Sequence, residues 1–182
     1  MVKIILHFKN NRILYLAISF TIVFFLYITY ILAPFSNCFK LETGANSLGV
    51  SFSYSIELVK NFFESRNKEQ LLCYSVFLQI WDVIFAFVYT LMYTSWIIYF
   101  FQNKRLFLIA PILCMISDWA ENYLELLMLE TYLNSSSISE LLVSIGSGIN
   151  SFKWILSSIT FLIILVGIII KLKNFLTKPK LK

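Results

Sequence analysis

Apolar positions along this chain fall into four long runs, at residues 13–33, 71–101, 106–133 and 151–172, each bounded by charged or turn-forming residues. Crossing a bilayer takes roughly 20 mostly apolar residues in a helix, and runs of this length are too much for one small soluble core to bury. The pattern predicts an all-α fold: a single membrane domain over residues 1–182, built as an integral membrane bundle of four transmembrane helices.

The polar stretches between the runs refine this reading. Lys3, Lys9 and Arg12 precede the first run, and Pro34 is expected to end it, because proline cannot continue a helix's hydrogen bonding. A basic start and an apolar core also describe a signal peptide. This run, near 20 residues, exceeds the usual 7–15 and lacks an A-x-A site, so a retained first span is expected. Residues 34–70 form the longest polar connection, an outer loop with Gly44, Gly49, several serines, and four basic residues against four acidic ones. Within it, residues 50–63 mix apolar positions with Glu57 and Lys60 at helical spacing, which fits a short amphipathic helix on the outer face or an ordinary loop helix. The second run is long enough to span with tilt or to project beyond the bilayer. A basic turn at Lys104 and Arg105 leads to the third run, whose early Pro111 falls where a missing amide matters least. Residues 134–150 read as a loop containing serine, glycine and Glu140. The last run closes on Lys171, Lys173, Lys178, Lys180 and Lys182.

Composition agrees: 59% of residues are hydrophobic and 14% charged, against about 25% charged in soluble domains. The net charge of +5 does not call for nucleic acid. Ten of the fifteen basic residues lie in the amino-terminal segment, the Lys104–Arg105 turn and the lysine tail, and no basic stripe is interleaved with exposed aromatics. The positive-inside rule puts those three segments, and so both termini, in the cytoplasm. Cys38, Cys73 and Cys114 form no CxxC and have only His7 for company, so no Cys/His metal set is expected. Cys38 and Cys73 both fall near the outer surface, where a disulfide can form if the geometry allows. No residue pattern names a cofactor.

Ionisable groups at bilayer depth usually face a bundle interior or a wet cavity. The second run has Asp82, which shares a helical face with Ala86, Tyr89 and Tyr93. The third has Asp118, Glu121, Asn122 and Glu125 at i, i+3, i+4 and i+7, a single stripe. The fourth contributes Lys153 near its outer end. Counting helical rise puts Asp82 and Asp118 at similar mid-membrane depths and Glu121 and Glu125 further outward, nearer Lys153, so Asp82, Asp118, Glu121, Asn122, Glu125 and Lys153 are expected to converge on one internal site, with Tyr89 beside it. The bland alternatives are interhelical hydrogen bonds and an ion pair that fix register, solvation of Glu125 and Glu130 near the surface, and a snorkelling Lys153. Aromatic belts account for many of the tyrosines and tryptophans; Trp81 and Trp119 lie too deep for the belt and are expected to pack in the core. Gly146, Ser147 and Gly148 fit a loop or close helix packing better than a nucleophile, since no histidine base accompanies them.

The pattern of Trp81–Asp82, Lys104–Arg105, Pro111, Asp118–Glu121–Asn122 and Lys153–Trp154 resembles a group of small, mostly uncharacterised bacterial multi-spanning membrane proteins with Trp-Asp, Asp-x-x-Glu-Asn and Lys-Trp motifs. The resemblance covers about residues 71–172 and implies a bacterial plasma membrane, but carries no chemistry. Three functions stand open. The acidic stripe lines a cavity that binds or transports a small cation, a proton, or an amine-bearing or lipid ligand. Alternatively, the chain is a structural or accessory subunit whose polar groups pair with a membrane-protein partner. The third is an intramembrane enzyme, its paired carboxylates doing acid–base work or holding a divalent metal on a lipid-linked substrate.

Overall fold

The structure, a computed structural model, describes residues 2–42, 47–102 and 104–177, with side chains from residue 11 onward. Lys178, Lys180 and Lys182 of the tail, and the side chains of Lys3, His7 and Lys9, lie outside what is described. All regular elements among the described residues are helical: α1 Val2–Tyr27, α2 Ala33–Ser36, α3 Ile56–Glu64, α4 Lys68–Val76, α5 Val83–Phe101, α6 Ile109–Ser135 and α7 Glu140–Leu176. A wide π-helical turn, Ile28–Leu32, joins α1 to α2, and another, Phe77–Asp82, joins α4 to α5, so each pair forms one long rod.

Three helical stretches are long and apolar enough to cross a membrane: Asn11–Ser36, Lys68–Phe101 and Glu140–Leu176. Two differ from the expected runs. The first passes Pro34 and stops at Ser36 instead, because the wide turn ahead of it lets Pro34 enter in the first turn of α2, where its missing amide is tolerated. The last begins at Glu140, not at residue 151. Ser139 caps it by accepting a hydrogen bond from the Leu142 amide at 3.4 Å, and the stretch read as loop is helical from there.

α1 packs along α5, α6 along α7, and α5 touches both α6 and α7. Two apolar cores are stacked along the bundle. The first gathers Phe39, Leu48, Val59, Phe62, Phe63 and Tyr74, and the second Ala86, Tyr89, Cys114 and Leu156. Residues 34–70 fold down as a cap and supply about half of the first core, α4, the turn after it, α6 and α7 supplying the rest. Ser55 starts α3, whose Val59, Phe62 and Phe63 are buried. Asn67 and Gln70 form a reciprocal capping box at the start of α4, with bonds of 3.0 and 2.9 Å. Arg66 is buried under the cap, donating to the carbonyls of Phe39 at 2.8 Å and Phe62 at 2.7 Å, with its guanidinium 3.5 Å over the Phe62 ring. A disulfide joins Cys38 to Cys73 and ties the cap to α4.

Candidate functional site

The α6 stripe faces inward. Asp118, Glu121, Asn122 and Glu125 are 4%, 0%, 4% and 0% exposed, while Ile112, Ile116, Trp119 and Tyr123 turn to the outside of the bundle. Trp119 is thus not a core residue; it lies against the bundle surface with its indole donating to the Val83 carbonyl at 3.1 Å. Glu130 is exposed, whereas Glu125, for which solvation is the alternative to the internal site, is enclosed by the cap.

Lys153 of α7 reaches into this stripe rather than toward a headgroup layer. Its Nζ lies 3.1 Å from Asp118 Oδ1 and 2.5 Å from Glu121 Oε2, and it donates to the Gly49 carbonyl at 3.4 Å. Trp154 Nε1 donates to the same carbonyl at 3.1 Å. The other Asp118 oxygen accepts from the Tyr89 hydroxyl at 2.9 Å. Glu125 accepts a short hydrogen bond from the Tyr74 hydroxyl, which in turn accepts from the Leu48 amide at 3.3 Å. Tyr54 Oη, Glu121 Oε1 and Glu125 Oε1 are buried without a hydrogen-bond partner among the described residues. Burial, and then the Glu125 and Glu121 carboxylates, push the Tyr54 phenol in the cap far above its ordinary range, so it stays neutral.

The wide turn between α4 and α5 is woven into this layer. A π turn leaves carbonyls poorly matched to its own amides, and side chains from neighbouring helices take them up: Asn122 donates to the Leu78 carbonyl at 3.4 Å and Tyr27 to that of Trp81 at 2.8 Å. Asp82 ends the turn. It makes no ion pair within 4 Å among the described residues; the Asn122 amide hydrogen-bonds it, and Asp118 and Lys153 act on it from further away.

Asp82, Asp118, Asn122 and Lys153 line a cavity of about 270 Å³, with Tyr89 and Tyr93 of α5 on its wall and Ser47, Gly49 and Val50 of the cap as its roof. The six expected polar residues therefore lie around one layer, but in two groups. Asp82, Asp118, Asn122 and Lys153 face the cavity; Glu121 and Glu125 sit behind it, against Lys153 and Tyr74. Sequence reasoning missed Tyr74, Tyr54 and the Gly49 carbonyl, because their proximity depends on the cap folding back over the bundle. Among the described residues, no three His, Cys, Asp or Glu side chains are grouped to hold a metal ion. Comparison with protein-family models, curated proteins and solved structures finds no match.

Proposed function

We propose that this chain is a four-span integral membrane protein with both termini in the cytoplasm, whose internal acidic layer binds or carries a small cation, a proton or an amine-bearing ligand. α6 is the fourth span in this reading. Its 27 residues measure about 40 Å, against a hydrocarbon core of ~30 Å. Its carboxyls lower its average hydropathy, yet protein covers Asp118, Glu121 and Glu125, the exposed Glu130 lies near its end, and the outward face before it is apolar. The plasma membrane is the proposed location, a bacterial one on the motif resemblance.

The observation that carries the functional reading is a cavity with a carboxylate, Asp82, on its wall and no cation paired to it among the described residues. A charge held this way opposes folding, as functional groups often do. Asp82→Asn is therefore expected to raise the melting temperature in detergent while abolishing ligand retention or cation flux in liposomes. Flux and retention unchanged in both Asp82→Asn and Asp118→Asn would sink the reading.

The closed Lys153–Asp118–Glu121 network supports a second reading, an accessory subunit whose buried charges only fix helix register. It expects Asp82→Asn to be neutral or destabilising and native-membrane purification to yield a stable hetero-complex.

A further inference from the structure

We infer that the ligand of the cavity is an organic ammonium, a primary or quaternary amine borne on an apolar body, rather than an inorganic ion. This rests on the cation-binding reading above and narrows it.

Charge sets the first condition. Of the groups on the cavity wall, two carboxyls, Asp82 and Asp118, face one ammonium, Lys153. Lys153 is already committed to Asp118 and Glu121, and Tyr89 holds the other Asp118 oxygen. Asp82 is what remains for a ligand, and a single positive charge neutralises it. Glu121, fully buried behind the roof, is taken up by Lys153 and the neighbouring Glu125 carboxyl and is not open to a ligand. A Cβ on Gly49 would lie 3.2 Å from its Oε1.

The rest of the wall decides which monocation fits. Phe24, Phe77, Phe85, Tyr89, Tyr93 and Trp154 all line it. Hard metal ions need a shell of oxygen ligands, which aromatic rings do not supply. An ammonium is instead attracted to ring faces, most strongly where water is excluded. The rings are already positioned: Phe85 stacks on Phe24 at 5.7 Å and meets Tyr89 edge-on at 5.4 Å, and Trp154 is fixed by its bond to Gly49. The apolar rings then receive the body of the ligand while Asp82 receives its charge.

Two sources present this chemistry, a water-soluble amine and the headgroup of an aminolipid. The cavity takes Phe24 from α1 and Leu32 from the wide turn after it on one side, and Trp154 and Ser157 from α7 on the other. The outer faces of these helices carry exposed Phe25, Leu26, Ile155 and Ile159, so the bilayer lies close by.

The test uses the full-length protein in phosphatidylglycerol nanodiscs, which contain no amine headgroup, with thermal unfolding as readout. n-Butylammonium is titrated against sodium and potassium chloride at matched ionic strength and against n-butanol. The expected result is a saturable rise in Tm with n-butylammonium alone. Asp82→Asn should weaken it roughly 30-fold or more, and Tyr93→Leu roughly tenfold. Ser157→Phe, which fills the cavity and leaves every charge in place, should abolish it even if Asp82→Asn fails to fold. Moving to phosphatidylethanolamine nanodiscs separates the sources. A Tm already raised there and deaf to butylammonium identifies the headgroup; a persisting response identifies the soluble amine. Equal shifts with sodium, potassium and butylammonium overturn the inference but leave a cation site standing. No shift with any cation or lipid removes both.

Discussion

An ammonium inside an apolar bundle is stable only where carboxylates meet it, and Lys153 meets two. Its removal would leave Asp118 and Glu121 buried and uncompensated, a change that typically costs about 3–5 kcal/mol. Lys153→Met is therefore expected to destabilise the protein by that amount in a denaturant titration in micelles, with most of the loss recovered when Asp118→Asn and Glu121→Gln are added. Tyr89→Phe deletes one neutral donor to Asp118 and should cost only about 0.6–2 kcal/mol, in line with interhelical hydrogen bonds in membranes. A Lys153→Met loss no greater than that of Tyr89→Phe would mean the carboxyls do not depend on the lysine. Much of this layer was legible in the sequence, because i, i+3, i+4, i+7 spacing aligns side chains whatever surrounds the helix. The splitting of the acids into cavity-facing and cap-facing groups was not. Glu125 is enclosed by Tyr74 and the cap, and no local pattern announces that contact.

At the level of single helices, composition leaves open whether glycine serves contact or turning. Gly146 and Ser147 allow a loop or close helix packing, and the second holds: they lie in the second turn of α7, where the cap presses against it. Ser147 Oγ accepts from the Tyr54 amide at 2.9 Å, and a Cβ on Gly146 would come within 2.5 Å of the Tyr54 hydroxyl. Intrinsic propensity favours alanine over glycine in a helix by about 1 kcal/mol, whereas overpacking of a tight contact costs about 1–3 kcal/mol. Gly146→Ala should thus be net destabilising by up to about 2 kcal/mol. Tyr54→Phe, which removes the obstructing oxygen and a buried hydroxyl with no partner among the described residues, should restore it. Equal destabilisation in both backgrounds would show that the close approach is not what the glycine is for. The π turns escaped the sequence for a similar reason. They follow from which neighbours offer Tyr27 and Asn122 to the freed carbonyls, and that depends on packing between rods.

For the whole molecule, the cap and the bundle are joined in two ways, by apolar burial and by the Cys38–Cys73 bond. The bond closes a sequence separation of 35 residues; on the chain-entropy account it stabilises by about 4 kcal/mol. Reduction, or paired Cys38→Ser and Cys73→Ser, should raise amide exchange over residues 47–66 and loosen the Gly49 roof, while α6 and α7 stay protected. The succession of long apolar helices was legible because apolar runs of this length have little choice but to form helices. The cap was not, since its core is assembled from residues distant in sequence. Orientation remains the property on which every statement about access to the cavity depends. Lys104 and Arg105 connect α5 to α6 at one end, and Ser137 lies exposed between α6 and α7 at the other. The native cysteines do not interfere, since two are bonded to each other and Cys114 is buried. In intact cells, Ser137→Cys is expected to react with a membrane-impermeant maleimide, and Lys104→Cys only after permeabilisation. The reverse pattern would turn the cap and its cavity toward the cytoplasm, where the disulfide would not persist. Labelling of both positions in intact cells would place both ends of α6 on one side, and α6 could then not be a span.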